Sequence, residues 1–170
     1  MIVREVMTRR VVSAQPQTRY RTLWAYIFKK RITALPVVDK ERILVGIVSR
    51  EDLLKPLYPD YKDFLETLGL PIDYDQIEER VHDLTELTAK DVMCKRVIFC
   101  RDTTPVMRAL SRMIVRQIHQ LPVVADDNRL VGVVTKGDIF YALFSKHLNK
   151  KRHTRRNRRK PWDTTLNNCL

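Results

Sequence analysis

Apolar residues fall at Tyr20, Leu23, Trp24, Ile27 and Phe28, a spacing of i, i+3, i+4, i+7, i+8 that marks one face of a helix packed on a core. Two short apolar runs follow, LPVV at 35–38 and ILVGIVS at 43–49, too short for helices and rich in β-branched residues. The polar turn between them is tight, so the two strands are expected to pair antiparallel. A second helix is expected from Glu51. The same succession recurs: a helical stripe at Val106, Ala109, Leu110, Met113 and Ile114, then LPVV at 121–124, a turn at Ala125-Asp126-Asp127-Asn128, RLVGVVT at 129–135, and a helix from Gly137. Before each first helix stands a short β-branched stretch, Val11-Val12 or Val97-Ile98, and a turn carrying Pro16 or Asp102. Thr18 and Thr104 are expected as helix N-caps, the latter followed by Pro105 as a first-turn proline.

Shifting the chain on itself by 86 residues aligns 4–57 with 90–143 without a gap, and 16 of the 54 positions are identical. The identities include Val6-Met7 with Val92-Met93, both LPVV runs, Gly46 with Gly132, and Asp52 with Asp138. The expected fold class is α/β (α+β), with two β-α-β-β-α repeats packed about a pseudo-twofold axis. Units of about 54 residues bury little surface alone, so the two are expected to share a core. The organisation reads as repeat 1 over 1–57, a connecting arm over 58–87, repeat 2 over 88–145 and a tail over 146–170.

Charge separates these parts. The net charge of +12 is concentrated at the end of the chain: 146–160 holds nine basic residues and no acidic one, leaving 23 basic against 19 acidic residues over 1–145. Such a tail cannot bury a core and is expected to be disordered, either simply solvated or attracted to nucleic acid or an acidic surface. The arm holds nine acidic residues against Lys62 and Arg80 and is expected to be partly helical in its second half. No apolar run reaches the ~18–20 residues of a membrane helix, and the first residues carry charge where a signal peptide is apolar. Cys94, Cys100 and Cys169 form no CxxC pair and leave one odd, which fits a reducing compartment; a cytoplasmic protein with no membrane association is expected.

The candidate chemistry is the duplicated Gly46-Ile-Val-Ser49-x-x-Asp52 and Gly132-Val-Val-Thr135-x-x-Asp138. A hydroxyl residue at a strand end with a carboxylate three residues later suits a capping box, which needs no ligand. The same carboxylate accepts two hydrogen bonds at fixed spacing, which suits the vicinal hydroxyls of a ribose. The glycines at 132 and 137 have the spacing of a phosphate-binding P-loop, but Asp138 stands where that loop needs lysine, so a P-loop nucleotidase is not expected. His82, His119, His147 and His153 lack metal-ligand spacing, and no nucleophile-base or paired-carboxylate arrangement recurs. Neither a metal site nor catalysis is expected.

Together the motifs EVM or DVM, LPVVD or LPVVA, and LVGIVSxxD or LVGVVTxxD, in the same order in both copies, resemble the cystathionine-β-synthase (CBS) domain, here as the tandem pair called a Bateman module. The resemblance covers roughly residues 2–145. It implies a regulatory sensor rather than a catalyst, with a cleft that binds AMP, ADP, ATP or S-adenosylmethionine and requires no cofactor beyond that ligand. It places Asp52 and Asp138 at the family's ribose position, with Ser49, Thr135 and the helix starts near the phosphates. Backbone around Ser13-Ala14 with Pro36-Val37, and around Phe99-Cys100 with Pro122-Val123, would surround adenine. Phe99 departs from the hydroxyl often found there, so it either fills the second pocket or stacks in it, and the site at Ser13 and Asp52 is favoured. His119, Arg50 and Lys136 are the candidates for phosphate contacts. Such pairs commonly form dimers, so a homodimer is expected, with output through an effector protein. The alternative is a nucleic-acid-associated protein in which the pair is a scaffold and the tail binds.

Overall fold

Each LPVV run becomes a strand because it is buried on both faces and its β-branched residues suit a pleated surface. The structure, a computed structural model, describes residues 1–57, 81 and 83–148. Repeat 1 contains a helix α1 (Tyr20–Trp24) continued by a wider π-helical turn (Ala25–Lys29), strands β1 (Ala34–Val38) and β2 (Leu44–Ser49), and helix α2 (Arg50–Leu54). A short helix α3 (Ala89–Val92) opens repeat 2, followed by β3 (Cys100–Arg101), α4 (Val106–Val115), β4 (Gln120–Val124), β5 (Leu130–Thr135) and α5 (Lys136–Leu148).

Both hairpins are antiparallel and share one register. Val37 lies opposite Gly46 and Val123 opposite Gly132, and each ladder slips at the next residue, between Val37 and Val38 and between Val123 and Val124. The left-handed residues are also duplicated: Arg42 with Asn128 in the hairpin turns, and Arg31 with Gln117 just beyond the first helices. Backbone geometry therefore repeats where side chains do not, since one member of each pair is an arginine with no special liking for positive φ.

Several local expectations shift. The opening strand of each repeat is not at Val11-Val12 or Val97-Ile98: it lies downstream, as a single parallel bridge from Ala14 to Val37 and as β3 pairing Cys100-Arg101 with Val123-Val124. The second helices start one residue early, at Arg50 and Lys136. Thr18 and Thr104 do not cap the first helices. Their hydroxyls accept from the amides of Gln15 and Arg101, at 2.9 and 3.1 Å, closing the preceding turn, and the caps are Arg19 and Pro105. Of the two helical stripes, Trp24, Phe28 and Ile114 lie at the edge and are exposed, while the others are buried. The arm over 58–80 and the tail over 149–170 lie outside the described residues.

The repeats exchange their opening segments. Val3, Val6 and Met7 pack into the core of repeat 2 with Cys100, Val106, Met113 and Leu121, while Leu84, Ala89, Val92 and Met93 pack into the core of repeat 1 with Leu23, Ile27, Leu35 and Val48. Hydrogen bonds fix both crossings: Thr8 pairs with Val133 of β5 (2.9 and 3.0 Å), and Cys94 pairs with Ile47 of β2 (2.9 and 3.0 Å). Glycine is required where each methionine lands. A Cβ on Gly46 would overlap the sulfur of Met93 and lie 3.0 Å from its Cγ, and one on Gly132 would meet Met7 in the same way. Val-Met and Gly thus recur because the methionine of one repeat lies flat on the glycine of the other.

Candidate functional site

Ser49 ends β2 and caps α2. Its hydroxyl accepts from the Asp52 amide at 3.2 Å, while Asp52 Oδ2 accepts from both the amide and the hydroxyl of Ser49 at 2.8 Å. Thr135 and Asp138 form the same closed box at the start of α5, with distances of 2.8, 2.8 and 3.0 Å. Each carboxylate is therefore held rigidly through one oxygen. Among the described residues no hydrogen bond engages Oδ1 of either, so a capped aspartate keeps a free oxygen with two lone pairs.

Asp52 lines a cleft of about 390 Å³ between the repeats. Repeat 1 contributes Thr33, Ile47, Ser49, Glu51 and Asp52, and repeat 2 contributes Arg96, Ile98, Gln117, Ile118 and His119. The crossing segment builds this wall: the Cys94–Ile47 pairing carries Arg96 and Ile98 to the edge of β2. His119 is fixed from behind, since its carbonyl accepts the Lys136 amide at 3.1 Å. Gln120 bridges the repeats, donating from Nε2 to the Ala34 carbonyl at 2.8 Å. Hydrogen bonds from its own amide and from the Ser49 hydroxyl hold the Glu51 carboxyl below the usual carboxylate range, with Arg50 and His119 adding a smaller pull. The lining thus combines carboxylates at Glu51 and Asp52, the basic side chains of Arg96 and His119, and the apolar Ile47, Ile98 and Ile118.

The structure brings Ser49, Asp52 and His119 of the expected residues together. Arg50 and Lys136 open their helices outside the cleft lining. The structure does not bring Ser13, Ala14, Pro36 and Val37 to the cleft. Ala14 donates to the Pro36 carbonyl and accepts from Val38, both at 2.9 Å, so this backbone is already spent on the sheet. Pro122 and Val123 are likewise buried in β4 against β3. Cys100 is a core residue and Phe99 lies on the outer surface, so neither meets the cleft. The largest omission of the sequence reading is Arg96. Its signal was present, because Arg10 and Arg96 are identical at the 86-residue shift, on segments that cross to the other repeat. Among the described residues no cluster of His, Cys, Asp and Glu is placed to hold a metal ion, and no helix is long and apolar enough to cross a membrane.

Fold and cleft define a class: a duplicated α/β module with a cleft lined by both copies. The chain belongs to the CBS domain family, whose model matches residues 3–58 and 89–145. An uncharacterised protein of Methanocaldococcus jannaschii, MJ1426, is 29% identical over 154 residues, 84% of this chain and 91% of that protein. The chloroplastic CBS domain-containing protein CBSX2 of Arabidopsis thaliana is 29% identical over 135 residues, 75% of this chain but 56% of that protein. A crystal structure of CBSX2 in complex with AMP superposes with a TM-score of 0.66 at 26% identity, covering 86% of this chain and 98% of that one.

Proposed function

We propose that the cleft between the repeats binds an adenosine-containing ligand, AMP, ADP, ATP or S-adenosylmethionine, as a regulatory signal and not as a substrate. The observation that carries this reading is Asp52: a carboxylate locked by its capping box through Oδ2, with Oδ1 free of hydrogen bonds among the described residues, in a cleft it lines together with Arg96 and His119 of the other repeat. Capping and ribose binding are then one arrangement, because the cap orients the oxygen that a ribose hydroxyl would meet. A volume of about 390 Å³ lies in the range of roughly 300–1,000 Å³ common for small-molecule sites. The AMP complex of CBSX2 supports the ligand class. By the twofold repeat, Asp138 would serve a second site with Thr135, Lys136 and Arg10.

Because both repeats line the cleft, a bound ligand fixes their relative orientation, and that orientation is what the module relays. The relay surface we propose is a homodimer formed through the exposed aliphatic and aromatic faces of the helices, Trp24 and Phe28 on repeat 1 and Ile114, Phe140 and Phe144 on repeat 2, with a cytoplasmic effector protein reading the dimer.

Thermal unfolding with AMP, ADP, ATP, S-adenosylmethionine and GMP as control tests the proposal. At about 100 times the dissociation constant, one site adds about 2.7 kcal/mol. An adenosine-selective shift that is lost in Asp52→Asn and kept in Asp138→Asn is the expected result. No shift with any adenosine compound would reduce both aspartates to helix caps.

A further inference from the structure

On the outer side of the crossing segment the side chains alternate away from the cleft. Arg96 lines the ligand cleft and Ile98 lines both it and the larger outer cavity, whereas Val97 and Phe99 line only two adjoining outer cavities of about 260 and 470 Å³. The smaller has Lys95 and Asn128 at its side, and the larger has Arg101, Thr104, Arg108 and Arg112. Phe99 lies in both and is 37% exposed. The two cavities adjoin at Val97 and Phe99, with Lys95 in the lining of the smaller and three guanidinium groups in that of the larger, and we treat them together as a groove.

Two of the arginines are held in place by backbone: Arg112 Nη1 donates to the Phe99 carbonyl at 2.5 Å and Arg101 Nη1 donates to the Ala125 carbonyl. Each guanidinium keeps further donors for an anion. Among the described residues no carboxylate lines either cavity; the adjacent Asp102 is taken up by Arg4 at 3.7 Å. Repeat 1 shows that the fold does not ask for this chemistry. At the positions equivalent to Phe99, Arg101, Arg108 and Arg112 it has Ser13, Gln15, Thr22 and Tyr26. One copy alone has gathered three arginines and an exposed phenyl ring on one groove.

We propose that this groove binds single-stranded nucleic acid, with a base stacked on Phe99 and phosphates held by Arg101, Arg108 and Arg112 on one side and Lys95 on the other. A ring flanked by cations along an open channel is the arrangement that holds a strand without reading its sequence. The site lies on the folded repeats and not on the basic tail, shares only Ile98 with the lining of the adenosine cleft, and does not depend on the function proposed for that cleft.

The test is fluorescence anisotropy of a labelled 12-nucleotide oligo-dT with the full chain, titrated at several salt concentrations. Phe99→Ala is expected to weaken binding by about 5- to 100-fold with an unchanged salt slope. Arg108→Gln with Arg112→Gln is expected to reduce that slope by roughly 0.7 for each phosphate that no longer meets an arginine. Arg108→Gln alone, on an exposed helix position with no described partner, guards against a folding defect in the double variant. Wild-type binding in Phe99→Ala and in the arginine variants would assign all binding to the tail and overturn the proposal. Equal displacement of the oligonucleotide by poly-glutamate would overturn it too, as would saturation by inorganic pyrophosphate without oligonucleotide binding.

Discussion

Substituting Gly46 by alanine tests the exchange of segments directly. The new Cβ would meet the Met93 sulfur and lie 3.0 Å from its Cγ and 3.3 Å from its Cβ. The Met93 backbone is fixed, its amide bonded to the Ala89 carbonyl at 2.8 Å and the next residue tied to Ile47 at 2.9 Å, so relief has to come from the thioether side chain. Overpacking of this kind costs about 1–3 kcal/mol. Replacing glycine removes about 0.4–1 kcal/mol of unfolded-state entropy, so a net loss of roughly 1–2 kcal/mol is expected in urea unfolding. Met93→Ala alone empties a half-buried site, and its cost should fall at or below the roughly 2–5 kcal/mol typical of fully buried methionine. In the double variant the alanine methyl enters the space the thioether has left, so the combined loss should fall short of the sum by about 1 kcal/mol or more. The same cycle at Gly132 and Met7 should behave alike. Additivity within about 0.5 kcal/mol would refute the contact between repeats, and two separated transitions would refute the shared fold.

Alkaline stability follows from two buried groups. Burial raises the Tyr20 phenol above its ordinary value of 10.0 and pushes the Cys100 thiol from 9.0 up to about 11. Both are acids kept neutral in the fold, so the stability they contribute is complete below their unfolded values and is lost as pH rises through the folded ones, for Cys100 between about 9 and 11. Cys100→Ala, which installs the residue found at the equivalent position 14, should flatten that part of a urea-midpoint profile against pH. In a thiol-labelling experiment at pH 8 followed by peptide mapping, the exposed Cys94 should react in the native state while Cys100 reacts only on unfolding. Thr135→Ala removes one cap of α5 and should cost about 0.5–2 kcal/mol in chemical denaturation, with the loss of Asp138's orientation as its visible consequence.

Much of the architecture was legible because periodicity and duplication spoke together. The hairpins, their antiparallel pairing and the capping boxes at Ser49 and Thr135 all follow from local chemistry. The opening strands were misplaced for a physical reason: Val97 and Ile98 are β-branched and apolar, yet they line cavities on two sides of a crossing segment that belongs to neither sheet. β-branched residues favour extended chain, and extended chain is not always paired. The cleft was half legible. Asp52 and His119 stand out by motif and chemistry, but the partners expected around Asp52, Ala14 and Val37, belong to its own repeat, where sequence neighbourhood suggests proximity. Nothing local in a sequence says that a segment leaves its own repeat, and Arg96 reaches the cleft of Asp52 only because Cys94 pairs with Ile47.

That crossing also explains which positions of the two repeats stayed alike. The helices have diverged to the point that Trp24 faces Leu110 and Tyr26 faces Arg112 in the alignment, since each packs mainly within its own half. Besides the hairpin cores, identity persists where one repeat meets the other: the methionines at 7 and 93 with the glycines at 132 and 46, the arginines at 10 and 96, and the aspartates at 52 and 138. A contact made reciprocally across a pseudo-twofold is a single geometric requirement imposed on two places, so a change in one copy of Gly or Met is opposed by its partner in the other. The arginine end of the groove beside Phe99 obeys no such constraint, because it is lined by residues of repeat 2 alone, whereas the smaller cavity also touches Ile43 and Leu44 of repeat 1. It is therefore the place where the two halves were free to acquire different chemistry, and the three arginines found in one copy alone are what that freedom produced.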